Sequence, residues 1–398
     1  MSLLDLPPRP LRVTLIVGTR PEAIKLAPVA LALQARADAK VAIWCTGQHP
    51  AWAIQMLRYF RLVPERVLEL PARSAELGVL FSGMMSQLQA ILQDEPSDVI
   101  VVQGDTSSAL AGALAAAYAR IPLVHVEAGL RTENRQLPFP EEAHRRAIAH
   151  FASLHCAPTR RAAEALLAEG ILPADILLSG NTVVDALRLI QSRATGPDLR
   201  FAPERKLIVL TCHRRENWGQ SYKAICAAAG RLAERGDCEI AFVVHPNPEL
   251  ARVAQHMLGG HPAIQLTPPL GYPEFLQLLQ RATLVLTDSG GVQEEAATLG
   301  TPLLVMRDNT ERPEGVDAGV ARLVGTGEQA IVTTVTRLLD HPAEMATMRN
   351  PRPLFGDGHA GARIASAIVD RWSPCSRNPT QIRAAAAATA LTRTPISQ

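Results

Sequence analysis

Two carboxylates stand where successive strand-like runs end: Asp105 follows DVIVVQG, and Glu127 follows PLVHV. If both runs lie in one parallel sheet, their ends share a side and the two acids point into one cleft. Mutual repulsion there raises the pKa of one of them and suits it to proton transfer. Alone, Asp105 reads as a helix cap, because Thr106 and an alanine-rich helix follow it. Glu141 and Glu142 open a helix in PFPEEAHRR, where acids also favour the helix dipole. Capping is the better reading for Glu142.

Three further segments suit anions. In GTRPEAIK, residues 18–25, a glycine turn meets a helix start with Pro21 near its first position. Its backbone N–H groups, with Arg20 and Lys25, can hold an anionic group; a well-capped helix with two solvated cations is the equal alternative. In TCHRREN, His213 directly follows a strand and is flanked by Arg214 and Arg215, a set suited to a diphosphate or a proton shuttle. In TDSGGVQEEAATLG, residues 287–300, Ser289, Gly290 and Gly291 let peptide N–H groups approach phosphate oxygens at a helix N-terminus. One turn on, Glu295 can accept from both hydroxyls of a ribose, and Arg312 marks the next strand end. GDGHAG, residues 356–361, fits GxGxxG but follows no strand and lacks the downstream acid of a dinucleotide site. It reads as a flexible loop before the last helix, so no cofactor is expected. No metal is expected either, since neither the histidines and carboxylates nor the cysteines have ligand spacing.

Positioning such loops requires parallel βαβ units, and the chain alternates short β-branched runs with longer amphipathic stretches. VTLIV, VAIWC, DVIVV, PLVHV, LHCA and DILLS form a first series; KLIVL, EIAFVV, AIQL, TLVLT and PLLVM form a second. The polar, Gly- and Pro-bearing stretch 194–205 separates them as a linker. The fold expected is α/β, two Rossmann-like doubly wound domains facing a central cleft, spanning 12–195 and 206–372. The last helix, GARIASAIVDRW, is open to packing back on the N-terminal domain, and 374–398 reads as a disordered tail. A net charge of +2 without a basic stripe points to neither nucleic acid nor a membrane surface. Six cysteines without zinc or disulfide spacing fit a reducing cytoplasm, and neither a signal peptide nor a membrane span is expected.

In order and with ordinary spacing, GTRPEAIK, GDT, HVEAGLRT, PFPEE, GNTVVDAL, HRREN, DSGGVQEE and RDNTERPEG resemble the non-hydrolysing UDP-N-acetylglucosamine 2-epimerases, from residue 12 to about 372. The resemblance implies a GT-B-type fold, a homodimer, and conversion of UDP-N-acetylglucosamine to UDP-N-acetylmannosamine for surface polysaccharide. It places Arg20 and Lys25 near substrate, Asp105, Glu127 and Glu141 as acid/base and sugar-contacting carboxylates, and His213 at the diphosphate. Ser289, Gly290, Gly291, Glu295 and Arg312 would bind nucleotide and substrate, with His245 of VVHPNP a further member. Gln103, Cys212 and His144 stand where the family pattern has His, Gly and Asn, which bears on substrate preference. TGQH resembles the segment where some members bind a second UDP-N-acetylglucosamine as activator; Gln48 and His49 match it, whereas Pro50 replaces a basic side chain.

The reaction so implied is anti elimination of UDP to a 2-acetamidoglucal, then readdition after protonation on the other face. A hydrolysing epimerase and a glycosyltransferase of the same fold are alternatives. A non-catalytic sugar-nucleotide sensor would keep the SGG loop and lose the carboxylates, all of which are present here.

Overall fold

The computed structural model describes residues 9–70, 76–132, 134–136, 138–191, 201–349 and 353–373. The expected tail and most of the expected linker lie outside them. Within them, the first sheet has seven parallel strands: β1 (Leu11–Val17), β2 (Ala39–Cys45), β3 (Arg66–Val67), β4 (Val99–Gln103), β5 (Leu123–Val126), β6 (Leu154–Ala157) and β7 (Ile176–Leu178). The second has six: β8 (Lys206–Thr211), β9 (Cys238–Val243), β10 (Ile264–Thr267), β11 (Leu284–Thr287), β12 (Leu303–Val305) and β13 (Ala321–Leu323). β4 and β5 are buried along their whole length, as strands covered by helices on both faces must be. The expectation of two doubly wound α/β sheets therefore holds. β3 and β13 were not foreseen: they are edge strands of two and three residues, too short to show a hydrophobic period.

The strand orders, β3-β2-β1-β4-β5-β6-β7 and β10-β9-β8-β11-β12-β13, each reverse once. The reversals fall between β1 and β4 and between β8 and β11. Loops leaving the sheet there diverge to opposite faces, which opens the crevice where such folds take ligands.

By contacts the division falls between Thr182 and Val183, ahead of the compositional linker. The reason is packing: Val183 and Val184 of helix Thr182–Gln191 join a core with Ala297, Val320 and Phe355 of the second unit. The last helix, Ala360–Trp372, returns to the first unit and packs on helix Arg20–Gln34. A Cβ at Gly361 would stand 2.8 Å from the Pro28 carbonyl, so close helix approach requires glycine. Gly358, at φ +75°, abuts the Arg188 side chain. Gly358 and Gly361 of GDGHAG thus serve packing. Among the described residues, no helix is long and apolar enough to cross a membrane, and no group of three or more His, Cys, Asp or Glu could hold a metal ion.

Candidate active site

In the first unit the strand-end loops carry ion pairs. Glu127 follows β5 in a left-handed conformation, φ +63°, which turns the chain sharply after the strand. Its Oε2 accepts from Lys25 Nζ and, at 2.7 Å, from Gln103 Nε2 at the end of β4. All three side chains are buried. Asp105 pairs with the buried Arg145, which in turn lies 3.5 Å from the fully buried Glu142. His144 Nδ1 donates to the Asp105 carbonyl at 2.9 Å. Two of the departures from the family pattern thus touch these loops: Gln103 binds the Glu127 carboxylate, and His144 binds the Asp105 main chain.

Asp105 and Glu127, expected as neighbouring acids, each also meet a buried cation, Glu127 with Lys25 and Asp105 with the Arg145 that it shares with Glu142. Thr106, not Asp105, caps the following helix, its Oγ1 accepting from the Ala109 N–H at 3.0 Å. This leaves the Asp105 carboxylate to Arg145. Glu141 is the first residue of helix Glu141–Phe151 and is partly exposed, whereas Glu142 is the member buried in ion pairs.

The anion seated on GTRPEAIK is the protein's own. Glu22 Oε2 accepts from the Gly18 N–H at 2.9 Å and the Thr19 hydroxyl at 2.8 Å, and Oε1 from the Thr106 hydroxyl at 2.6 Å. Burial pushes Glu22 up to about 7. Arg20 begins this helix. Gly18 has no room for a side chain, because a Cβ would run into Ser108 and lie 2.6 Å from Thr46 Oγ1. Gln48 Oε1 accepts from the Ser108 hydroxyl at 2.6 Å, and the His49 amide donates to the Gly18 carbonyl at 2.9 Å. TGQH therefore lies against the same reversal point as GTRPEAIK and GDT.

In the second unit the loops are set through backbone. Asp288, fully buried after β11, accepts from the N–H groups of His213 and Arg214, both at 2.9 Å, and from Asn217 Nδ2 at 2.8 Å. The Cys212 thiol, the third departure, points at it from 3.3 Å. The His213 and His245 rings lie 5.6 Å apart, and Trp218 meets His245 edge-on at 5.7 Å. His245 Nδ1 accepts from the Asn247 N–H at 3.0 Å, so a neutral ring carries its proton on Nε2.

Ser289 precedes helix Gly290–Leu299 without capping it by its side chain. The two glycines differ. A Cβ on Gly290 would collide with the Arg312 guanidinium and stand 3.1 Å from Glu311 Oε1, while one on Gly291 would meet nothing within 4 Å. Arg312 is fixed by Glu294 at 2.6 Å and Glu311 at 2.7 Å, and Glu311 also binds Arg214 and Arg307, each at 2.7 Å. Glu295 lies buried in the same helix.

Arg20, Asp105, His213 and Ser289 thus follow the strands that flank the two reversals, whereas Glu127, His245 and Arg312 follow neighbouring strands and Glu141 opens a later helix. Asp288, Arg145, Glu311 and Arg307, not singled out from the sequence, join these networks. A buried acid after a strand signals Asp288 only once its donors are known, and nothing in the sequence around Arg145 marks the acid it meets 40 residues earlier.

Residues 31–369 match the family model described as UDP-N-acetylglucosamine 2-epimerase. The chain is 42% identical over 371 residues to the UDP-N-acetylglucosamine 2-epimerase of Escherichia coli O157:H7, covering 90% of this chain and 98% of that one. Among solved structures it is similar to the UDP-GlcNAc 2-epimerase of Neisseria meningitidis bound to UDP-GlcNAc, with a TM-score of 0.86, 35% identity, and 90% and 100% of the two chains covered. The Methanocaldococcus jannaschii UDP-GlcNAc 2-epimerase in complex with UDP-GlcNAc and UDP gives a TM-score of 0.81 at 36% identity, over 90% and 99% of the chains.

Proposed function

This chain belongs to the UDP-N-acetylglucosamine 2-epimerase family, and on that premise we propose that it interconverts UDP-N-acetylglucosamine and UDP-N-acetylmannosamine by elimination and readdition of UDP. Carbon 2 bears an amide nitrogen and no adjacent carbonyl, so simple deprotonation there is unfavourable. If the anomeric C–O bond breaks with UDP leaving, positive charge develops at carbon 1 and acidifies the neighbouring C–H. A base takes that proton, the C–H electrons form the C1–C2 double bond of 2-acetamidoglucal, and UDP departs with the C–O pair. Protonation of carbon 2 from the other face and return of UDP to carbon 1 complete the inversion without net redox change.

The observation that carries this reading is the pair of strand-end carboxylates in the first unit, Asp105 and Glu127, each matched by a buried cation. Removing a proton on one face and returning one on the other requires two acid/base groups, and these two carboxylates follow neighbouring strands of one sheet. Glu141 is the remaining acid of the set. The His213 loop, Ser289, Gly291 and Arg312 of the second unit suit the UDP leaving group, and Glu295 the ribose. We extend the proposal to a homodimer working in the cytoplasm to supply surface polysaccharide precursors.

Incubation with UDP-N-acetylglucosamine in heavy water, followed by NMR, tests it. UDP-N-acetylmannosamine carrying deuterium at carbon 2 is expected. Product without deuterium would point to oxidation and reduction, and free N-acetylmannosamine with UDP to the hydrolysing reaction.

A further inference from the structure

Lys25 and Asp105 belong to segments 80 residues apart in sequence, and both must be held relative to the same reacting carbon if the epimerase reading is right. Between their segments lies Glu22, with no solvent exposure. One carboxylate oxygen is held by the Gly18 N–H and the Thr19 hydroxyl of the loop after β1. The other takes the hydroxyl of Thr106, the residue next to Asp105, at 2.6 Å. That hydroxyl oxygen also accepts the Ala109 N–H, so one Thr106 side chain starts the helix after Asp105 and docks it to Glu22. Glu22 is moreover one turn before Lys25 on the same helix, and Lys25 holds Glu127.

We propose that Glu22 is a positioning residue for this reaction, a clamp that sets Asp105 through Thr106 and registers it against the helix carrying Lys25. The proposal rests on the epimerase reading. A helix-capping acid needs only the N–H groups of its own first turn; the Thr106 bond reaches across the reversal point and serves no cap of the Glu22 helix. A carboxylate whose hydrogen-bond donors are all neutral is also an unfavourable occupant of a dry interior, and an apolar residue would fill the space at less cost. Its raised pKa reflects that burden.

The test compares Glu22→Gln, Thr106→Val, Thr106→Ser and the double variant Glu22→Gln/Thr106→Val in the full-length protein. The wild type must first interconvert the two nucleotide sugars; if it does not, the epimerase reading falls and the clamp with it. Given activity, Glu22→Gln and Thr106→Val are each expected to lose kcat by roughly 10- to 100-fold, the range that small misplacements produce. KM and the UDP Kd should stay within about twofold, because nucleotide contacts are elsewhere. Thr106→Ser, which keeps the hydroxyl, should retain the rate. The double variant should be no slower than the worse single, since both remove one contact. Hydrogen exchange over residues 104–110 should quicken in Glu22→Gln. Wild-type kcat in Glu22→Gln, losses that multiply in the double variant, unchanged exchange, or lowered Tm with an intact rate would each overturn the proposal. If Glu22→Gln fails to fold, the Thr106 pair decides: equal rates for Val and Ser overturn the clamp.

Discussion

At each reversal of strand order a single buried carboxylate ties two loops together, yet the two do so differently. In the first unit Glu22 is held by one N–H and two hydroxyls, and the strand-end acids near it sit in side-chain ion pairs, Lys25 with Glu127 and Arg145 with Asp105. In the second unit Asp288 takes two backbone N–H groups, a side-chain amide and a thiol, and so fixes the main chain of the His213 loop itself. The difference teaches a division of work. On the proposed function, one unit supplies acids held by side-chain cations; the other supplies a loop whose main chain is fixed on Asp288 and a network of Arg214, Arg307, Glu311 and Arg312 beside a helix N-terminus. Substitutions should accordingly strike turnover in the first and nucleotide affinity or local stability in the second.

The sharpest way to break that contrast is at the acids. Asp105→Asn and Glu127→Gln should each lower turnover by about 10²- to 10⁴-fold, the usual worth of a general acid or base, with UDP affinity nearly unchanged by calorimetry. A matching loss of UDP binding would mean that the units share both tasks. Next in size, Asp288→Ala strips the partner from several buried donors and should cost on the order of 3 kcal/mol in urea unfolding, because unmet buried donors bear their full desolvation penalty. A loss below about 1 kcal/mol would show that the His213 loop holds itself.

A pH titration of stability sharpens the comparison on the first unit's side. Glu22 rises from 4.5 to about 7 in the folded chain, so the folded state binds more protons than the unfolded across that window. Its burial is therefore tolerated at low pH, and stability falls as pH rises from about 4.5 to about 7, by up to about 3 kcal/mol from this group. Glu22→Gln should flatten that slope; an unaltered slope would assign it to other groups. The smallest expected effect is Glu295→Ala, which should weaken UDP binding by roughly 1 to 3 kcal/mol and leave turnover at saturating substrate much less affected. Unchanged affinity would make Glu295 a packing residue only.

Much of this was legible in the sequence. The period of the strand runs located eleven strands and gave two parallel sheets, because buried parallel strands are apolar throughout and helices alternate with them. The candidate site residues were chosen for a related reason: in such a sheet ligands gather at loops after strands, and Asp105, Glu127, His213 and Ser289 do lie in loops that follow strands.

Pairing was not legible. Nothing in GTRPEAIK says that its anion is Glu22, or that Lys25 seeks an acid 102 residues away. Nor does DSGG say that its first residue binds four neighbours of a loop more than 70 residues earlier, or that Gly290 is small for Arg312 while Gly291 is small toward open space. By itself, the sequence determined most of the strands, which loops follow them and which family motifs are present, since those depend on local period and composition. Tertiary structure alone decided which cation meets which carboxylate and where the last helix docks, because those outcomes depend on strand order and close packing between segments far apart in the chain.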